Sequence, residues 1–67
     1  MTVGEKIKSL RLQHAMTMEE MSKALKTSVT QISKWEHDKA QPSAKSVRKI
    51  ASLFKIDVKQ LTKLYKE

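Results

Sequence analysis

Residues 17–36 are TMEEMSKALKTSVTQISKWE, two helix-start signals with a two-residue joint between their helices. Thr17 followed by Glu20 is the signature of a capping box, in which the hydroxyl accepts a backbone N–H three residues on and the carboxylate reaches back. Met21, Ala24 and Leu25 then fall on one face of a helix. Ser28 repeats the start signal with Gln31 at the box position, and Ile32 and Trp35 supply the buried side of a second helix. Only Lys26 and Thr27 lie between the two blocks. Helices joined that tightly must cross at a large angle, which is the geometry of a helix-turn-helix unit over about residues 17–36.

The same logic extends in both directions. Upstream, Thr2 and Glu5 form another capping box ahead of Val3, Ile7 and Leu10. Downstream, Pro42 and Ser43 introduce a block with Val47, Ile50, Ala51 and Phe54 at helical spacing, and Asp57 with Gln60 opens a fifth. In that last block Val58, Leu61, Leu64 and Tyr65 point inward or to an interface. No run alternates with the period of a strand. The expectation is an all-α, compact five-helix bundle containing a helix-turn-helix, forming one domain over residues 1–67. A chain this short buries a modest share of its surface and is marginally stable. Cysteine is absent, and His14 and His37 are too few and too far apart for a metal site, so neither metal nor cofactor is expected.

Fourteen basic residues against seven acidic give a net charge of +7, a balance that favours a polyanion, and duplex DNA is the commonest. A membrane surface fits less well, because no segment is apolar enough to span or anchor. No apolar leader follows Met1, so a cytoplasmic, nucleoid-associated location is expected. Catalysis is not expected. The sequence offers no nucleophile–base pair, carboxylate dyad or glycine-rich phosphate loop, and so short a bundle leaves little room for a substrate pocket.

At about 100° per residue, residues 28–37 place Ile32 and Trp35 on one side and Val29, Thr30, Ser33, Lys34 and His37 on the other. The outer face has no carboxylate to repel phosphate. Val29 and the Thr30 methyl suit a thymine methyl, Ser33 donates or accepts, and Lys34 can donate to guanine O6 and N7. For any single residue an ordinary solvent-facing role accounts for the chemistry equally well. The face as a whole, with the net charge and the tight turn before it, favours DNA. Other residues read as structure. Met16, Met18 and Met21 fill gaps; Trp35 is a packing anchor; His14 is exposed at the end of the first helix; Glu19 and Lys23 form a solvated pair.

The stretch from Ile7 to Leu61 resembles the lambda-repressor/Cro-type helix-turn-helix family, often called the XRE family. The elements that carry the resemblance are Ile7–Lys8–Ser9–Leu10–Arg11, Met16–Thr17–Met18–Glu19–Glu20–Met21, Ile32–Ser33–Lys34–Trp35–Glu36, Gln41–Pro42–Ser43 and Ile50–Ala51–Ser52–Leu53–Phe54. The resemblance implies a prokaryotic or phage transcriptional regulator, expected to be a repressor, that binds double-stranded operator DNA as a homodimer. By position it implies a recognition helix over 29–36 in the major groove, with Ser28, Val29, Thr30, Ser33 and Lys34 facing bases. Thr17, Lys39, Gln41, Ser43 and Lys45 would meet phosphates, and Arg11 with Glu36 would form a structural ion pair fixing that helix. Two-fold symmetry implies an inverted-repeat operator with half-sites about 34 Å apart. The dimer interface is expected at the end of the fourth helix and in the fifth, from Phe54, Ile56, Leu61, Leu64 and Tyr65, where apolar surface exceeds what one short helix needs. Leu61 and Val58 also suit the core of a single copy.

Three positions depart from the family pattern. Met18 stands where a phosphate-binding Gln is usual, and Lys26 and Lys55 stand where glycine is usual after the second and fourth helices. Ser22 keeps the small residue that packs the second helix against the third. Two other functions remain open on sequence grounds. One is an antitoxin or a similar protein-binding role, with a toxin or antirepressor as partner, marked by a toxin gene next door. The other is RNA or non-specific nucleic-acid binding, marked by indifference to scrambling of the target.

Overall fold

Hydroxyl side chains start four helices in succession. Thr2 and Thr17 each accept the N–H of the glutamate three residues on, and Glu5 and Glu20 reach back to the cap N–H, completing both capping boxes. Ser28 accepts from Gln31 N–H and Ser43 from Ser46 N–H. Each such cap contributes about 1 kcal/mol. The resulting helices are α1 (Val3–Gln13), α2 (Met18–Leu25), α3 (Val29–Glu36) and α4 (Ala44–Phe54). A single turn, α5 (Lys59–Thr62), follows, and Asp57 Oδ1 accepts the Lys59 N–H at 2.9 Å ahead of it. The structure, a computed structural model, describes residues 1–65, and among them there is no strand.

α2 and α4 both end in the left-handed conformation, at Lys26 and Lys55, each with φ 56°. These are the two positions where glycine is usual in the family, so the chain keeps the backbone turn and accepts a side-chain clash of about 1 kcal/mol at each. The N–H of the next residue closes each cap: Thr27 donates to Ser22 O at 3.0 Å and Ile56 to Ala51 O at 2.9 Å.

The core draws on all five helices. Ile7, Met21, Ile32, Val47, Ile50 and Leu61 are fully buried, and Val3, Leu10, Leu25, Trp35 and Phe54 complete the cluster. α3 is packed from both sides, by α1 and by α2, so its inner face is fixed while its outer face stays open. Ala24, expected on the inner face of α2, is exposed: the helix turns Met21, Ser22 and Leu25 inward instead. Phe54 and Leu61, expected at an interface between copies, lie in this core with 4% and 0% exposure, because α5 folds back over the end of α4. Leu64, Tyr65 and Ile56 are half-buried against the same core. The Tyr65 hydroxyl donates to Pro42 O at 2.8 Å and ties the segment after α5 to the loop before α4.

Candidate nucleic-acid interface

Behind α3, beside its packing against α1 and α2, lies a buried ion pair. Arg11 on α1 donates through Nε to Glu36 Oε2 at 2.6 Å and through Nη2 to Oε1 at 3.0 Å, a two-pronged contact. Its third arm, Nη1, donates to Met16 O at 3.0 Å, so the same guanidinium also holds the turn before α2. The side chains are 10% and 1% exposed. Hydrogen bonding to Glu36 raises the already high pKa of Arg11 further, so its charge is fixed.

With that side anchored, α3 presents Ser28, Val29, Thr30 and Lys34 to solvent, with Ser33 half-buried between them. Val29, Thr30, Ser33, Lys34, His37, Lys39 and Met18 line one shallow concavity of about 550 Å³, with no carboxylate among them. The Met18 side chain thus forms a wall of this surface, although it cannot donate to a phosphate. His37 caps the end of α3, its Nδ1 lying 2.8 Å from Ser33 O. The loop then doubles back, with Lys39 N–H donating to Lys34 O at 2.9 Å, and this fold places the two lysines side by side.

The residues assigned to phosphates divide between surfaces. Lys39 adjoins the α3 face. Lys45 lies on a separate groove between α2 and α4, with Lys26, Arg48 and Lys49. Gln41 lies on a third surface beside Thr2 and Asp38. Thr17 and Ser43 are exposed, but both are already engaged as caps. Glu20 occupies the Thr17 N–H, and that backbone bond, with the Thr17 hydroxyl behind it, holds the Glu20 carboxyl below its ordinary range.

Asp38 plays a part that sequence reasoning missed. It sits at φ 58°, just beyond α3, and accepts from the Thr2 hydroxyl at 2.8 Å and from Gly4 N–H at 3.2 Å. The residue just beyond the C-cap of α3 therefore clamps the start of α1. A faint signal existed in the single glycine of the chain, set inside a helix where glycine is unfavourable.

A sequence profile of the helix-turn-helix domain family matches residues 4–67. The HTH-type transcriptional activator BcrR of Enterococcus faecalis is 34% identical over 61 residues, which is 91% of this chain and 30% of that protein. The chain thus spans under a third of the length of this relative. No solved structure matches. No helix among the described residues is long and apolar enough to cross a membrane. With two capped helices meeting at Lys26–Thr27 and a carboxylate-free face on the second, the chain belongs to the helix-turn-helix domain family, in its XRE/Cro-type class.

Proposed function

We propose that the chain is the sequence-reading module of a transcriptional regulator, with α3 in the major groove of an inverted-repeat operator and two copies bound about one helical turn apart. It represses where that operator overlaps a promoter. The observation that carries this reading is the open α3 face: small side chains and paired cations without a carboxylate, on a helix locked from behind by Arg11 and Glu36. Ser28, Val29, Thr30, Ser33 and Lys34 read bases. Lys39, followed by Lys45, Gln41, Thr17 and Ser43, holds phosphates. The protein acts from the cytoplasm on the nucleoid.

Selection of bound sequences from a random duplex pool should return an inverted repeat. On that operator, Lys34→Ala should cost about 1–3 kcal/mol and relax the preference at one base pair. Lys39→Ala should weaken all sequences alike and lower the salt slope by about one. Equal loss on operator and scrambled DNA for Lys34→Ala would remove Lys34 from the base-reading set.

One recognition helix spans too few base pairs to mark a unique site, which is the reason for proposing a dimer. The accessible part of the proposed interface is Ile56, Leu64 and Tyr65, with Phe54 and Leu61 supporting it from beneath. So small a patch is expected to pair only on DNA. Sedimentation of the operator complex should show two chains per site; a single chain bound at full affinity to an isolated half-site would exclude the dimer.

A further inference from the structure

His37 belongs to neither the base-reading nor the phosphate-holding set, yet it stands on the open face of α3. It is exposed at the C-cap and lines the same concavity as Ser33, Lys34 and Lys39. Its Nδ1 lies 2.8 Å from Ser33 O. A carbonyl oxygen only accepts, so Nδ1 carries the proton of that bond and the tautomer is fixed. Nε2 has no protein partner among the described residues. In the neutral ring Nε2 is therefore an acceptor, and only in the imidazolium is it a donor.

The charged groups that share the concavity are all cationic. Lys34 comes from α3 and Lys39 from the loop, α2 contributes only Met18, and no carboxylate is present. The two carboxylates that flank His37 in sequence are engaged elsewhere. Glu36 is buried on Arg11, and Asp38 accepts from Thr2 and Gly4. Nothing in this concavity pairs with a charged ring, whereas a phosphate would supply both a negative charge and an acceptor. A neutral ring would turn only a lone pair toward that phosphate. His37 lies at the far end of α3 from Ser28 and next to the loop that carries Lys39, which favours a phosphate over a base edge.

We propose that His37 is a proton-linked phosphate contact. It joins DNA as the imidazolium, with Nε2–H donating to a phosphate oxygen while Nδ1–H stays on Ser33 O. The proposal rests on the DNA-binding reading and adds a pH dependence to it. An imidazole changes charge between pH 5 and 8. The complex holds a proton that the free chain gives up as pH rises, so affinity increases as pH falls through that range.

Binding of the whole chain to its selected operator and to scrambled duplex is measured at pH 5.5 and 7.5 at matched ionic strength. For each chain bound, the wild type should bind both about tenfold more weakly at pH 7.5. Its salt slope should also be about one unit smaller there. His37→Gln is neutral at both pH values and, at an exposed position, leaves the core intact. It should match the wild type at pH 7.5 and change little between the two pH values. His14 is the only other histidine, held at the end of α1 with Nδ1 on Leu10 O and its ring 4.8 Å from Phe54. His14→Gln should keep the full pH dependence. Operator binding that is flat with pH, or a pH effect that persists in His37→Gln, overturns the proposal and leaves the DNA-binding reading standing. A pH effect confined to the operator overturns the phosphate contact and assigns His37 to a base. No binding to either duplex at either pH overturns both readings.

Discussion

Arg11→Met should destabilise the chain by about 3–5 kcal/mol, because it leaves the Glu36 carboxylate buried without a counter-charge. The whole chain has 67 residues and, at roughly 0.05–0.15 kcal/mol per residue, a total stability of about 3–10 kcal/mol. The substitution thus removes a large part of what holds the fold. Glu36→Met should cost less. The Arg11 side chain is 10% exposed against 1% for Glu36, and without its partner it still donates to Met16 O at 3.0 Å. The carboxylate has neither outlet. Replacing both by methionine removes both charges at once, and an apolar pair of similar volume in place of a buried ion pair is often neutral or better. The double variant should therefore be more stable than Arg11→Met alone, with a coupling above about 1.5 kcal/mol by urea denaturation. If the pair sets the angle of α3, as proposed, the double variant should nevertheless bind operator more weakly than the wild type, since the two-pronged contact is gone. Additive losses from the two single variants would show that the pair contributes nothing as a pair.

Local signals in the sequence translated well, for a physical reason. A hydroxyl cap is written within four residues, so the starts at Thr2, Thr17, Ser28 and Ser43 were all legible, although the full capping box forms only at Thr2 and Thr17 and Gln31 does not reach back to Ser28. The outer face of α3 was legible too, because Ile32 and Trp35 fix the rotation of a short helix. The Arg11–Glu36 pair joins residues far apart in sequence and came from the family resemblance rather than from spacing. What stayed hidden depends on how helices sit on one another. The depth of Phe54 and Leu61 follows from α5 folding back, which periodicity cannot distinguish from a face awaiting a second copy. Ala24 obeys the helical period yet is exposed, because α2 turns Ser22 rather than Ala24 inward beside Met21 and Leu25. Lys45 has the charge suited to phosphate, but the roll of α4 places it on the α2–α4 groove rather than beside Lys34 and Lys39. The Asp38 clamp spans more than thirty residues to Thr2 and Gly4, and neither end announces the other.

That clamp leads to the second large expected effect, at Gly4. In an ordinary helix Gly→Ala stabilises by roughly 0.5–1 kcal/mol, so propensity alone predicts a gain. Here a Cβ on residue 4 would overlap Trp35 O and lie 2.6 Å from Asp38 Oδ1 and 3.1 Å from Glu36 O. Two of those atoms are backbone carbonyls at the end of α3, and they cannot swing aside as the tip of a side chain can. Either α1 lifts away or the end of α3 shifts, and each movement breaks the Gly4–Asp38 hydrogen bond and loosens the seat of Arg11 on Glu36. Overpacking of this kind costs about 1–3 kcal/mol, and the lost hydrogen bond about 1 more. Net of the propensity gain, the balance for Gly4→Ala is therefore a loss of about 1–3.5 kcal/mol, a fall in Tm on the order of 10 °C for a domain of this size. Asp38→Gly separates the two contributions. It removes both clamp hydrogen bonds but relieves a left-handed residue at φ 58°, so its loss should be smaller. In the Gly4→Ala/Asp38→Gly double variant most of the alanine penalty should persist, because Trp35 O remains in the way. Thermal and urea unfolding of the four proteins measures all of this. A Gly4→Ala variant as stable as the wild type would mean that α1 and the end of α3 do not approach this closely, and the clamp that joins the start of α1 to the end of α3 would have to be given up.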